Sequence, residues 1–320
     1  GISLNLDGDD TTATITANIR DNTFQDLNRD GVFLDVDDSG TMTTTIANNR
    51  FLNIGDDGVE ISVEDHDDGN VMQTTIVMDN EFTDIANAGV RIETNDNDSD
   101  GDYIVNQTTT ITGNTFLRNS LGVAMQFDSD SDSDGGEFVN NTTIAGNVFE
   151  DGLGDAVTLD VSDWDDEDLT IILDITGNQF LANAGRGIHL SVNDIDLDSG
   201  TVVFLPTIAE NTFLNNGADN IVISVADEAG VVGSITGNTI NGGIDGLDVF
   251  SGGIGANVFT IGGNTIDSVT GTGIRFDSFT ATSILDAGEN NEVTNAGTTF
   301  NFDSAGNLTG KIRINGIPRP

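Results

Sequence analysis

An asparagine followed two residues later by an apolar residue recurs along the whole chain, at intervals of 26 to 34 residues. The asparagines are Asn22, Asn49, Asn80, Asn114, Asn147, Asn178, Asn211, Asn238, Asn264 and Asn291. Their apolar partners are Phe24, Phe51, Phe82, Phe116, Phe149, Phe180, Phe213, Ile240, Ile266 and Val293. A fixed period of this length indicates a repeat architecture, in which each repeat buries its apolar face only against its neighbours.

A second element follows each asparagine by about nine residues and alternates apolar and polar positions, as in Gly58-Val59-Glu60-Ile61-Ser62-Val63. Alternation with period two predicts a strand with one buried face. Short strands and a period near 30 residues favour a β-solenoid, all-β and of about ten coils, over a helical repeat. With strands about 4.8 Å apart, ten coils give a rod on the order of 50 Å long.

The repeated step is expected to form stacks inside this rod. Phe would stack on Phe in successive coils, and inward-pointing asparagines would bond to each other and to turn carbonyls. A left-handed backbone is expected at the asparagine itself, which tolerates that conformation. Glycine often stands immediately before it, at Gly113, Gly146, Gly177, Gly237 and Gly263.

In its best copies, such as Ile111-Thr112-Gly113-Asn114-Thr115-Phe116, the repeat resembles the right-handed parallel β-helix repeats of the pectate-lyase-like superfamily. The resemblance extends from Gly1 to about Asp303 and implies that fold. That superfamily includes lyases, hydrolases, adhesins and passive surface rods, so the resemblance implies little about function.

The charge balance narrows the choice of partners. The chain has 54 acidic and 10 basic residues, a net charge of −44, and no cysteine. Such a charge argues against nucleic acid and against an anionic membrane surface as partners. No apolar run reaches membrane-spanning length, so no membrane insertion is expected. Cations, basic surfaces or high salt are needed to offset the self-repulsion.

Carboxylates cluster in the loops that follow the second element, which together form what we call the acidic edge. Two loops match Asp-x-Asp-x-Asp-Gly, and alternate carboxylates on a tight turn can converge on calcium. The candidate calcium ligands are Asp96, Asp98, Asp100, Asp102, Asp128, Asp130, Asp132, Asp134, Asp163 and Asp165. The EF-hand is rejected, because its twelfth position is Gln107 or Asn141 here. The alternative interpretation is a solvated acidic face adapted to high salt.

An enzymatic interpretation stays open but has weaker support, and no catalytic residue is assigned. The resemblance to polysaccharide lyases implies an Arg or Lys base on the outward face of the second element, where Arg91 and Arg275 lie. Arg91 beside Glu60 is interpreted as a cross-coil ion pair. Gly187-Ile188-His189 does not match the histidine motif of the similar polygalacturonases. Thr16, Thr43, Thr74 and Thr108 form a possible outward threonine array, as in ice-binding solenoids.

The division of the chain follows from where the repeat holds. Residues 1–303 are expected to form the β-helix, starting in mid-coil as in a trimmed precursor, because Gly1-Ile2-Ser3-Leu4 already matches the second element. Residues 304–320 are expected to form a basic tail, either a linker or a docking segment, which contains Lys311, Arg313 and Arg319.

The sequence as a whole predicts a non-enzymatic extracellular or cell-surface rod, structural or adhesive. It would bind calcium, associate end to end or adjoin other domains of a longer chain, and contact polysaccharide. The alternative is a carbohydrate-active lyase or hydrolase.

Overall fold

The computed structural model describes residues 1–7, 13–37, 39–64, 70–96, 104–129, 136–165, 168–193, 195–196, 201–226, 229–252, 257–278, 284–287, 291–304, 313–314 and 317–318. Within these residues the fold is all-β, and three parallel sheets wind around one core. Each coil contributes one strand to each sheet in turn. The predicted parallel β-helix is confirmed, and the estimate of about ten coils agrees with sheets of twelve, ten and ten described strands.

The first sheet contains the strands predicted from the alternating second element. In sheet order it consists of β1 (Ile2–Asp7), β4 (Val32–Asp37), β7 (Val59–Glu64), β10 (Ala88–Asp96), β13 (Leu121–Ser129), β16 (Val157–Asp165), β19 (Ile188–Val192), β23 (Ile221–Val225), β26 (Leu247–Ser251), β29 (Thr272–Ser278) and β32 (Thr298–Ser304). The short β20 (Ile195–Asp196) also pairs with β16. The match of the first residues to this element is confirmed, because β1 pairs with β4 in parallel.

The second and third sheets complete each coil. The second consists of β2 (Thr14–Arg20), β5 (Gly40–Ala47), β8 (Asn70–Met78), β11 (Ile104–Thr112), β14 (Glu137–Ala145), β17 (Asp168–Thr176), β21 (Val202–Ala209), β24 (Gly230–Thr236), β27 (Asn257–Gly262) and β30 (Ile284–Ala287). The third consists of β3 (Thr23–Leu27), β6 (Arg50–Ile54), β9 (Glu81–Ile85), β12 (Thr115–Leu117), β15 (Val148–Glu150), β18 (Gln179–Leu181), β22 (Thr212–Leu214), β25 (Thr239–Asn241), β28 (Thr265–Asp267) and β31 (Glu292–Thr294). The strands β33 (Arg313–Ile314) and β34 (Ile317–Pro318) form an antiparallel pair, and β33 contacts β30.

The repeated asparagines form the predicted ladder at the turn between the second and third sheets. In the central coils, the Asn147 Nδ2 donates to the Ile111 carbonyl at 2.8 Å and to the Asn178 Oδ1 at 3.0 Å. The Asn147 Oδ1 accepts the backbone N–H of Asn114 at 2.8 Å and its Nδ2 at 3.0 Å. Each amide therefore satisfies turn groups that are buried away from water.

The left-handed backbone at this turn differs from the prediction. It lies at the residue immediately before each ladder asparagine from Asn22 to Asn264, for example at Asp79 (φ 55°) and Gly146 (φ 64°). A second left-handed residue follows four positions after each asparagine, as at Asp84 and Asp151. The prediction of a left-handed asparagine was therefore wrong, and the glycines that often precede it carried the correct signal.

The phenylalanines of the step stack in a column inside the third sheet. Successive rings from Phe24 to Phe213 lie 4.6–5.0 Å apart and are nearly parallel. A column of glycines at or just before the starts of the first-sheet strands packs against them, because a Cβ at Gly89 would lie 2.5 Å from the Phe116 ring. Within the described residues, no helix is long and apolar enough to span a membrane.

Candidate functional site

The carboxyl groups with the largest pKa shifts lie on the outward face of the first sheet and in the turns that precede its strands. Its strands are preceded by turns in which an aspartate often stands, and their first outward position varies from coil to coil. In register that column reads Ser3, Phe33, Glu60, Arg91, Ala124, Thr158, His189, Val222, Asp248, Arg275 and Asn301. The order predicted from the sequence for Phe33 to Arg275 is confirmed.

The turn aspartates have a structural role that the sequence did not reveal. The Asp57 Oδ1 accepts the backbone N–H of Ala88 in the next coil at 2.7 Å. Equivalent bonds run from Arg186 to Asp155 at 2.6 Å and from Asp245 to Asp219 at 3.0 Å. A carboxylate at this turn thus binds two coils together, as the asparagine does at the other turn. The turn aspartates alone are therefore not evidence of a binding function.

One cluster on this face goes beyond that structural role. Arg91 donates to the Asp57 Oδ2 at 3.2 Å, to Glu93 at 3.3 Å and to Gln126 at 3.4 Å. Arg91 also stands in register with Glu60, as predicted. The sequence suggested an Arg91–Glu60 ion pair, whereas the guanidinium donates to Asp57 and Glu93. Arg91 therefore joins three consecutive coils through its hydrogen bonds.

The pKa values of Glu60 and Asp57 are both raised. Burial, followed by repulsion from Asp30, Asp57 and Glu93, raises the pKa of Glu60 to about 7, although Arg91 opposes the rise. Burial also raises the pKa of Asp57 to about 6 against the N–H of Ala88 and the charge of Arg91. Desolvation of the charged form is the main cause in both cases. A half-buried carboxyl with a pKa near 7 can donate or accept a proton at neutral pH.

The same cluster contains a possible cation position. Carboxylate oxygens of Asp30, Asp57 and Glu60 lie within 4.8 Å of one another. However, both oxygens of Asp57 are already engaged, one by Ala88 and the other by Arg91. A divalent ion there would have to displace a guanidinium, so the trio is better suited to sharing a proton than to holding a metal.

The arrangement is repeated near the other end of the sheet. Arg275 contacts Asp248 at 3.1 Å and Asp245 at 3.4 Å, so Asp245, Asp248 and Arg275 occupy the positions that Asp57, Glu60 and Arg91 occupy earlier. Burial likewise raises the pKa of Asp248, and Arg275 limits the rise. At two places along the sheet, the first outward position is therefore an acid in one coil and an arginine in the next coil.

A third, different cluster lies between them. The Asp155 Oδ2 lies 3.3 Å from the Arg186 guanidinium and 3.5 Å from the Nδ1 of His189. Burial favours protonation of Asp155, but the hydrogen bonds from His189 and Arg186 outweigh it and lower its pKa to about 2. Asp155 thus stays ionised and orients the imidazole of His189, which the sequence placed on a strand without assigning it a role.

The predicted calcium ligands are only partly within the described residues. Asp96 is the last residue of β10, and Asp128 lies one residue before the end of β13. Asp163 and Asp165 are among the last three residues of β16. Asp98, Asp100, Asp102, Asp130, Asp132 and Asp134 lie outside the described residues. At the ends of the first-sheet strands, Asp7, Asp37 and Glu64 stand in register in three successive coils. The acidic edge therefore begins within the described part of the sheet.

The comparisons with known proteins assign the family. The model of the right-handed β-helix region matches residues 1–204. The chain belongs to the right-handed β-helix family. No curated protein sequence matches this β-helix. Among solved structures, the Dettilon tailspike protein (gp208) is similar at a TM-score of 0.39 and 15% identity, over 92% of this chain and 62% of the tailspike chain. The β-helix thus spans less than two thirds of the tailspike chain, and a likeness of this degree does not extend to function.

Proposed function

We propose that this β-helix is an extracellular structural or adhesive rod of a cell surface or filament, which binds divalent cations, calcium above all, along its acidic edge. The support is the register of Asp7, Asp37 and Glu64 at the ends of adjacent strands. Strand spacing separates such positions by about 4.8 Å. Two charges at that distance repel by about 1 kcal/mol even in water. A divalent ion between coils removes this repulsion in every coil that contributes a carboxylate.

The calcium part of the proposal is tested by thermal unfolding in chelator, in calcium, and in sodium chloride of equal ionic strength. Calcium is expected to raise the midpoint more than the matched sodium salt, because ligands that bind only the folded state stabilise it. Replacing Asp98, Asp100, Asp132 and Asp134 by Asn should remove this excess. Glu150→Gln, at an exposed position of the third sheet, is the matched control and should retain it. Equal midpoints in calcium and sodium would leave salt adaptation as the explanation of the charge.

The rod part of the proposal concerns end-to-end association of the β-helix. The tail residues Lys311, Arg313 and Arg319 are basic, whereas the acidic edge is strongly negative. Opposite charges of this kind steer two molecules into contact. End-on chains are therefore expected in calcium by electron microscopy and sedimentation, and reversal of the three tail charges to Glu should abolish them. A strictly monomeric protein in calcium would contradict the filament.

A carbohydrate-active function is a second candidate, favoured by one observation. Glu60, on the outward face of the first sheet, has a pKa of about 7, and its carboxylate lies within 4.8 Å of that of Asp57 in the preceding turn. A glycoside hydrolase needs such a protonated acid beside a second carboxylate, and a lyase needs a base such as Arg91. A screen on acidic and neutral polysaccharides tests both. Cleavage abolished by Glu60→Gln or by Arg91→Ala, and retained in Arg118→Ala, would replace the structural proposal with an enzymatic one.

A further inference from the structure

The inner face of the second sheet is polar in its early coils. One inward column reads Met42, Gln73, Gln107, Asn140 and Ile171, and the neighbouring one reads Thr44, Thr75, Thr109, Thr142 and Leu173. All of these side chains are fully buried. Seven polar groups therefore occupy the two inward columns that hold Ile171 and Leu173 in the next coil. Buried polar groups of this kind need hydrogen-bond partners.

The amides of the first column form a directed chain. The Thr142 hydroxyl donates to the Asn140 Oδ1 at 2.9 Å, and the Asn140 Nδ2 donates to the Gln107 Oε1 at 2.6 Å. The Gln107 Nε2 in turn donates to the Gln73 Oε1 at 3.0 Å. The chain therefore ends in the Nε2 of Gln73, beside Met42 in the preceding coil.

Four polar atoms of this segment have no partner among the described residues. They are the Nε2 of Gln73 and the hydroxyl oxygens of Thr44, Thr75 and Thr109. The register brings the three threonines next to one another in successive coils, and Gln73 lies two residues before Thr75 on the same inward face. The four groups thus line one continuous strip of the interior. Each buried polar group left without a partner is strongly destabilising.

We propose that the rod binds a short row of ordered water molecules in its interior, along the strip formed by Thr44, Gln73, Thr75 and Thr109. A buried water molecule makes about three hydrogen bonds to polar groups that are otherwise unsatisfied. The threonine hydroxyls can donate or accept, and the free amide of Gln73 can only donate. Water satisfies both kinds of group. A cation does not, because no carboxylate lines the strip and the Gln73 amide would repel it.

The test compares two identical substitutions on neighbouring residues of β8. Thr75→Val changes a buried hydroxyl of the strip, whereas Thr74→Val changes its outward, half-exposed neighbour. Oxygen-17 magnetic relaxation dispersion counts long-lived internal water molecules, and thermal unfolding measures the cost of losing them. Thr75→Val is expected to remove part of the relaxation signal and to lower the midpoint by about 2–4 °C, since a water molecule loses a partner. Thr74→Val should change neither.

The opposite outcome is equally clear. In a dry interior, valine would replace an unpaired hydroxyl by a methyl group of the same shape, which is neutral or stabilising. An unchanged relaxation signal in Thr75→Val, whatever its midpoint, would therefore overturn the proposal. Gln73→Met supplies a second variant of similar volume, and it should also reduce the signal.

Discussion

Asn147 lies in the middle of the asparagine ladder, and its replacement by alanine isolates what the ladder contributes to stability. The change leaves the backbone N–H of Asn114 and the carbonyl of Ile111 without their partners. Both groups are buried, and each such group costs about 1–3 kcal/mol. The expected loss of unfolding free energy is therefore about 2–6 kcal/mol. The backbone N–H of residue 147 still donates to Asn178 in the variant, so that bond is not part of the loss.

The matched control is Asn22→Ala, the same change at the exposed end of the ladder. The Asn22 side chain donates to the carbonyl of Arg20 and to Asn49, but no described backbone N–H depends on it. Its loss should be about 1 kcal/mol or less. Urea unfolding of both variants, together with hydrogen exchange to detect uncoupling of the coils, gives the comparison. If Asn147→Ala were no more destabilising than Asn22→Ala, the ladder would not be the source of stability that its geometry indicates.

Three further substitutions probe other parts of the rod. Gly89→Ala would bring a Cβ within 2.5 Å of the Phe116 ring. Thermal unfolding should show a loss of about 1–3 kcal/mol of unfolding free energy from overpacking. An unchanged midpoint would refute the close packing. Glu60→Gln should raise the midpoint at pH 8 and leave it unchanged at pH 4, measured in chelator. The raised pKa of Glu60 means that its contribution to stability is complete below about pH 4.5 and is lost as the pH rises through about 7. A gain at both pH values would refute this assignment. Arg118→Ala should leave the midpoint unchanged, because its ion pair with Asp84 is exposed, and a clear loss would contradict this.

The core of the fold could be predicted because its signals are local and repeated. The spacing of the asparagines and the alternation after Gly58 indicated both the coil and its strands. The left-handed position before the asparagines from Asn22 to Asn264 was missed because it is occupied by Asp, Asn, Glu or Gly, so no single residue type marks it. A partial second ladder of Asn119, Asn183 and Asn216 was missed for a similar reason. It is interrupted by Gly152, whose backbone N–H still donates to the Asn183 Oδ1 but which has no side chain to accept a bond from the preceding coil.

The candidate site was harder to predict because it depends on which residues stack across coils. Arg91 and Glu60 were correctly assigned to one outward column, but Asp57 lies in the preceding turn and its link to Arg91 crosses 34 residues of sequence. Thr43 and Thr44 illustrate the same difficulty. The outward threonines were noticed as a possible array, whereas Thr44 and its stacked partners point inward and form the polar strip.

The inward and outward columns of this β-helix differ in how much their residues vary from coil to coil. The inward asparagine and phenylalanine columns are nearly uniform, because each coil must match the one before it at about 4.8 Å. The outward column of the first sheet varies from Phe33 to Arg275 without a change of register. Substitutions there alter charge and proton affinity while the inner contacts stay the same. The pairs Glu60–Arg91 and Asp248–Arg275 therefore result from which side chains occupy this column, and the fold does not require them.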